Sequence, residues 1–174
     1  MQPKIPLPSD DQLPTDIRET LASLPPANVF RMMANAPASF HGFVQLAGSI
    51  LRQSEFDSRK REIAILRVAH VTHSSYEWTQ HVRYATQIGV TQEEIEKVGV
   101  DGPVQGLDEE GLLLCRVAEE ISRDIRLSDE ALGAILTSYG VRQATELILC
   151  CSYFNMISRF LESTRVELES APAF

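Results

Sequence analysis

Apolar residues recur at helical spacing through most of the chain, and no stretch keeps the strict alternation of a strand between turn signals. Phe40, Phe43, Val44, Ala47, Ile50 and Leu51 mark one face of a helix that Pro37 can start and that runs through Arg52. Leu112, Leu113, Val117, Ala118 and Ile121 stripe a helix over 109–124, with Asp108 as its cap. Ser128 caps the next, which reaches Tyr139 and ends at Gly140. The last long helix, over 141–162, keeps Leu147, Ile148, Cys151, Phe154, Ile157, Phe160 and Leu161 near the 3.6 period. Shorter helices are predicted from a Thr15 cap to Leu24, over 27–35, and from the capping box Thr91-x-x-Glu94 to about Val98. The glycine-rich stretch 99–106 reads as a loop. The predicted fold class is all-α, a single-domain helical bundle.

One stretch, 58–89, gathers most of the candidate chemistry. It holds His70, His73 and His81, the single tryptophan Trp78, and Glu62 and Glu77. Ile63, Leu66, Val68, Ala69 and Val71 make its first half a core helix. Ser74 is placed to cap a second helix, Glu77 three residues on completes the pattern of a capping box, and Gly89 closes that helix.

Composition narrows the classes. A chain of 174 residues fits one domain with a real core. Its formal charge of −8 and lack of a basic run argue against nucleic acid and anionic membrane as partners; Arg59-Lys60-Arg61 reads as a solvated turn. No apolar run approaches the ~20 residues of a membrane span, and the first fourteen residues lack the apolar core of a signal peptide. Three cysteines, two adjacent, make no disulfide framework. The expected location is cytoplasmic. Four prolines make 1–14 an extended arm, either loose or packed on a neighbouring subunit; 15–165 is the helical domain, and 166–174 a loose polar tail.

The order of residues resembles the carboxymuconolactone decarboxylase family, which includes the alkylhydroperoxidase-D-like (AhpD-like) proteins. In the redox members a Glu is followed after eleven residues by Cys-x-x-Cys and, three further on, by His. Here Glu62 is followed after eleven residues by Ser74-Ser75-Tyr76-Glu77, and three further on by His81. The framing Glu and His match; Ser74 and Glu77 stand where the redox cysteines would be. The run from Glu77 to His81, Glu-Trp-x-x-His, looks like the decarboxylase side of the family. A weaker match is Ser152-Tyr153-Phe154-Asn155-Met156-Ile157-Ser158-Arg159-Phe160, similar to the family's late helix. The resemblance implies the AhpD-like helical bundle, a homo-oligomer (trimer, or hexamer of trimers) with pockets near subunit contacts, and cofactor-independent decarboxylation of a small, lactone-type carboxylic acid.

Three chemistries compete for these residues. Thiol peroxidation needs an accessible, low-pKa thiolate and a resolving thiol. Ser74 cannot supply one, and Cys150-Cys151 point about 100° apart on an apolar helix. Acid–base chemistry needs a poised imidazole: Glu77 and His81 are i, i+4 and share a helix face, which raises the ring pKa and fixes its tautomer. Spacing leaves Glu62 and Glu77 both open as partners of His81, and leaves Glu77 open as a mere capping residue. A metal site on His70, His73, Glu77 and His81 would stretch over about 16 Å of helix, too long for one ion, so only a pair such as His70 with His73 could chelate, and no metal or other cofactor is expected. Arg159, among apolar neighbours, is expected either to grip a substrate carboxylate or to form a buried pair with Glu62 or Glu146. Tyr76 and Ser74 join it as expected substrate-binding residues, and Trp78 fills the core. The expected catalytic set is His81, Glu62 and Glu77. A thiol peroxidase and a non-catalytic oligomeric binding protein are the alternatives.

Overall fold

The computed structural model describes residues 4–170. It contains a 3-10 turn, Asp10–Gln12, and helices α1 (Thr15–Ser23), α2 (Asn28–Met33), α3 (Pro37–Arg52), α4 (Ser58–Val71), α5 (Ser75–Gln87), α6 (Gln92–Val98), α7 (Glu109–Arg123) and α8 (Asp129–Thr164). Among the described residues there is no strand. The all-α expectation holds, and the element boundaries fall close to those read from the periodicity.

Helix α4 is the axis of the bundle. It packs against α5, α6, α7 and α8, and every residue from Arg61 to Ala69 is buried. A helix surrounded on all sides has no solvent face to leave polar, so Ile63, Ile65, Leu66 and Val68 face different neighbours. Each such side chain contributes about 1.5–3 kcal/mol on burial. The polar residues trapped with them, Arg61, Glu62 and Arg67, must find partners inside the protein. Arg61 is therefore no solvated turn residue: it is 3% exposed, and its guanidinium donates to the Leu51 carbonyl at 3.0 Å.

Local side-chain chemistry sets four of the eight α-helix starts among the described residues. Asp57 accepts from the Lys60 amide at the start of α4, Asp108 from Gly111 at α7, and Ser128 from Ala131 at α8. Thr91 and Glu94 form the expected capping box. Thr15 is the first helical residue of α1 rather than its cap, a place taken by Pro14. The largest departure is at α5: Ser74 occupies the N-cap position, yet its hydroxyl makes no cap hydrogen bond. Glu77 does not reach back to complete a box, because its carboxylate turns toward His81.

Gly140 does interrupt the long C-terminal helix, with φ 71° and ψ 175° inside α8. That conformation is almost confined to glycine, and an added Cβ would meet nothing within 4 Å. Gly140→Ala therefore carries only the backbone strain, and chemical denaturation should show a loss of about 1–3 kcal/mol; an unchanged midpoint would contradict it.

Both ends of the described chain are tied to the bundle. Over 4–14 the arm is held on its own bundle: Arg31 donates to the Pro8 carbonyl, Asn35 to that of Pro6, and the Ile5 amide to Thr164. Over 166–170 the tail is hydrogen-bonded to the bundle: Asn28 holds the Glu167 carbonyl, and Glu169 is bound by Tyr76, Gln80 and the Asn28 amide. The remainder of the expected arm and tail, 1–3 and 171–174, lies outside the described residues.

Candidate functional site

The junction of α4 and α5 builds the site. Helix α4 ends in a Schellman turn: the His73 amide donates to the His70 carbonyl and the Ser74 amide to that of Ala69, with His73 at φ 55°. The chain thereby doubles back, and α5 lies against α4. Residues nineteen apart then meet: His81 Nδ1 is 2.6 Å from Glu62 Oε2. On its other side His81 Nε2 is 3.3 Å from Glu77 Oε2, one helical turn earlier on α5. Phe154 of α8 closes the imidazole edge-on, with centroids 4.8 Å apart. Both glutamates partner the ring, one through each nitrogen.

Burial and charge oppose each other at His81. Burial works against the charged ring, but Glu62, through its charge and its hydrogen bond, and then Glu77 outweigh it, and the pKa is pushed up to about 10 from an ordinary 6.5. The ring is an imidazolium at neutral pH. Its Nδ1–H donates to Glu62 in a short bond. Its Nε2–H points to Glu77 over a longer, weaker contact. A raised folded-state pKa means that the group's contribution to stability is complete below about pH 6.5 and is lost as pH climbs toward about 10. Melting temperature should accordingly fall between pH 7 and 10, and His81→Gln should flatten that part of the profile. A wild-type curve with the same slope as the variant would contradict this assignment.

His81 and Glu77 border a cavity, with Glu62 buried behind the ring. An outer space of about 260 Å³ lies between Pro25, Leu51, Arg52 and Tyr84, with Gln80 and His81 on its wall. An inner recess of about 60 Å³ shares Leu51, Gln80 and His81 and adds Tyr76, Glu77 and the rings of Phe43 and Phe154. The polar groups are thus few and converge in an otherwise apolar space, the usual make-up of a small-ligand site.

The structure separates the expected binding residues. Tyr76 lines the inner recess; its hydroxyl accepts from the Val29 amide at 3.1 Å and donates to Glu169 at 2.5 Å. Burial first, and then Glu169, raise its pKa, so it stays a donor. Ser74 is 1% exposed, its hydroxyl without a hydrogen-bond partner. Arg159 forms no buried pair with Glu62 or Glu146. It lies exposed on α8, its guanidinium 3.4 Å from the Ser122 and Asn155 carbonyls, and neither cavity includes it. Glu146 is engaged elsewhere, by Ser54 and the Phe56 amide.

The cation at the cavity is Arg52, at the last turn of α3, which sequence reasoning passed over. Gly48 one turn earlier gives it room: a Cβ there would sit 2.6 Å from Arg52 Nη2. Glu169 was also missed, since nothing local in a polar tail announces a partner on α5.

Trp78 is half-buried, set edge-on to His70 at 5.9 Å and against Gly99. His70 pairs with Asp101 at 3.1 Å, while His73 is exposed in the turn. Among the described residues no three His, Cys, Asp or Glu side chains are grouped to hold a metal ion. Cys115, Cys150 and Cys151 are buried free thiols outside both cavities. Burial raises all three pKa values, Cys115 and Cys151 to about 12 and Cys150 well above its ordinary value. Among the described residues no helix is long and apolar enough to cross a membrane.

Residues 37–107, which carry Glu62, Glu77 and His81, match the model of the carboxymuconolactone decarboxylase family. The fold over nearly the whole chain is AhpD-like. An uncharacterized peroxidase-related protein from Silicibacter sp. TM1040 superposes with a TM-score of 0.81 at 17% identity, over 99% of this chain and 95% of that one. A second uncharacterized peroxidase-related protein, from Ralstonia eutropha JMP134 and described as an alkylhydroperoxidase AhpD core, gives 0.79 at 15% identity over 98% and 95%. A protein of unknown function from Agrobacterium tumefaciens gives 0.67 at 16% identity over 80% and 96%. No curated protein matches the sequence.

Proposed function

We propose that this protein is a cofactor-independent acid–base enzyme of the carboxymuconolactone decarboxylase type, acting on a small carboxylic acid. The observation that carries the reading is the buried imidazole of His81, fixed by Glu62 at one nitrogen and only loosely held by Glu77 at the other, on the wall of an apolar cavity. Decarboxylation breaks a C–C bond and leaves its electron pair on a carbon conjugated to a carbonyl. That carbon then needs a proton. His81 Nε2–H is the donor, and Glu62 holds the ring in register as charge leaves it. A substrate that displaces Glu77 from Nε2 removes one of the interactions that hold the proton and makes the ring a stronger acid. Arg52, at the cavity, replaces Arg159 as the cation that draws the acid in.

The neighbours described as peroxidase-related make the thiol reaction the competing assignment. Against it stand the serine and glutamate at the two cysteine positions and the burial of every thiol. Two assays run in parallel decide between them: CO₂ release from γ-carboxymuconolactone, and consumption of an organic peroxide with a dithiol. CO₂ release alone is the expected result. Peroxide turnover lost in a variant with its three cysteines replaced by serine would overturn the proposal.

A further inference from the structure

Two rows of side chains run side by side on α5. Glu77 and His81 form the proton pair. Tyr76 and Gln80, also four apart, are 3% and 4% exposed and line the same recess. Their donor groups converge on one carboxylate, that of Glu169 in the C-terminal tail. The Tyr76 hydroxyl donates to Oε1 at 2.5 Å, the Gln80 amide group donates to Oε2, and the Asn28 backbone amide also donates to Oε1. Gln80 spends its NH₂ group there and leaves its own carbonyl oxygen, buried on the recess wall, without a partner.

This is more than a fastening for the tail. Buried side chains of a cavity wall supply two of the three donors, and the C-terminal tail supplies the acceptor. The tail is already anchored without Glu169. The Asn28 side chain holds the Glu167 carbonyl, and the Val166 amide donates to Leu161 as the chain leaves α8. Residues 168–170 can therefore swing away without opening the bundle. A carboxylate that took Glu169's place would set the rest of its molecule beside His81, within reach of the unpartnered Gln80 carbonyl.

We propose that Tyr76, Gln80 and the Asn28 amide form a carboxylate-binding cradle in the recess, occupied by Glu169 in the resting chain and by the carboxylate of a small organic acid when ligand enters. The inference rests on the reading of the cavity as an acid site but not on the decarboxylation, so it is tested by binding alone. Glu169 is an internal competitor: it lowers apparent affinity by the fraction of time it holds the cradle. Benzoate is a suitable probe, being a carboxylate on an apolar ring, with benzamide as its neutral counterpart. In calorimetric titrations Glu169→Ala should bind benzoate about tenfold more tightly than wild type, with no comparable gain for benzamide. Tyr76→Phe added to Glu169→Ala should cancel the gain, whereas His81→Gln added to it should leave the gain in place even if the protein turns over no substrate. Equal benzoate affinity in wild type and a folded Glu169→Ala would overturn the cradle, as would an equal gain for benzamide, which would mean that the cavity had merely been opened. Glu169→Gln, which keeps the tail's bulk and removes its charge, gives the same reading if the alanine variant folds poorly.

Discussion

His81→Ala should abolish CO₂ release, by a factor of about 10²–10⁴ in kcat, the usual range for loss of a positioned proton donor. It should also cost stability, because the substitution takes the only positive group from between two buried carboxylates. Glu62 is fully buried and Glu77 is 5% exposed, so neither can turn to water. Breaking a buried pair by removing one partner costs about 3–5 kcal/mol. His81→Gln separates the two effects. It can still donate to a glutamate, so it should recover part of the stability and none of the turnover. If His81→Ala released CO₂ at the wild-type rate, His81 would be a structural residue and the proposed chemistry would have no acid.

The second large effect is expected at Arg67, a residue remote from the cavity. Its side chain is 0% exposed in the middle of α4, and all five of its N–H groups are used. Nε and Nη2 meet Glu119 of α7, Nη1 donates to the Val98 and Val100 carbonyls at 2.8 and 2.7 Å, and Nη2 donates to that of Gly102 at 2.8 Å. One guanidinium thus ties α4 to α7 and to the end of α6 with its following loop. Arg67→Met preserves bulk but leaves three carbonyls without this donor and Glu119 with only the longer Arg123 pair at 3.6 Å, a loss of about 3–5 kcal/mol, or roughly 6–20 °C in melting temperature for a chain of this size. Arg67→Lys should recover little, since three rotating donors on one nitrogen cannot match five fixed in a plane. Arg116→Met on the half-exposed face of α7, whose guanidinium also pairs with two carboxylates, should stay within about 1 kcal/mol. Equal melting temperatures for the Arg67 and Arg116 variants would show that the buried network does not hold the helices together.

What the sequence by itself determined is the part governed by neighbours within one or two turns. Helix spans followed from apolar spacing, half of the eight described α-helix starts from Asp57, Asp108, Ser128 and Thr91 accepting nearby amides, and helix stops from Gly89 and Gly140, both of which take positive φ. The i, i+4 contact of Glu77 with His81 belongs to the same class. The tertiary structure decided everything that depends on which helix faces which. Glu62 reached His81 because the turn at His73 lays α5 back on α4. Glu77 turned to His81, and the Ser74 hydroxyl was left buried without a partner, so no capping box formed. Arg159 went to the outside because α8 turns its Phe154 edge, not that arginine, toward the ring. Arg52 and Glu169 entered the site from a helix end and a tail whose local sequence gives no sign of it. Periodicity fixes the face of a helix on which a side chain sits; only packing fixes what that face meets, and a buried charge is given its role by the partner it meets.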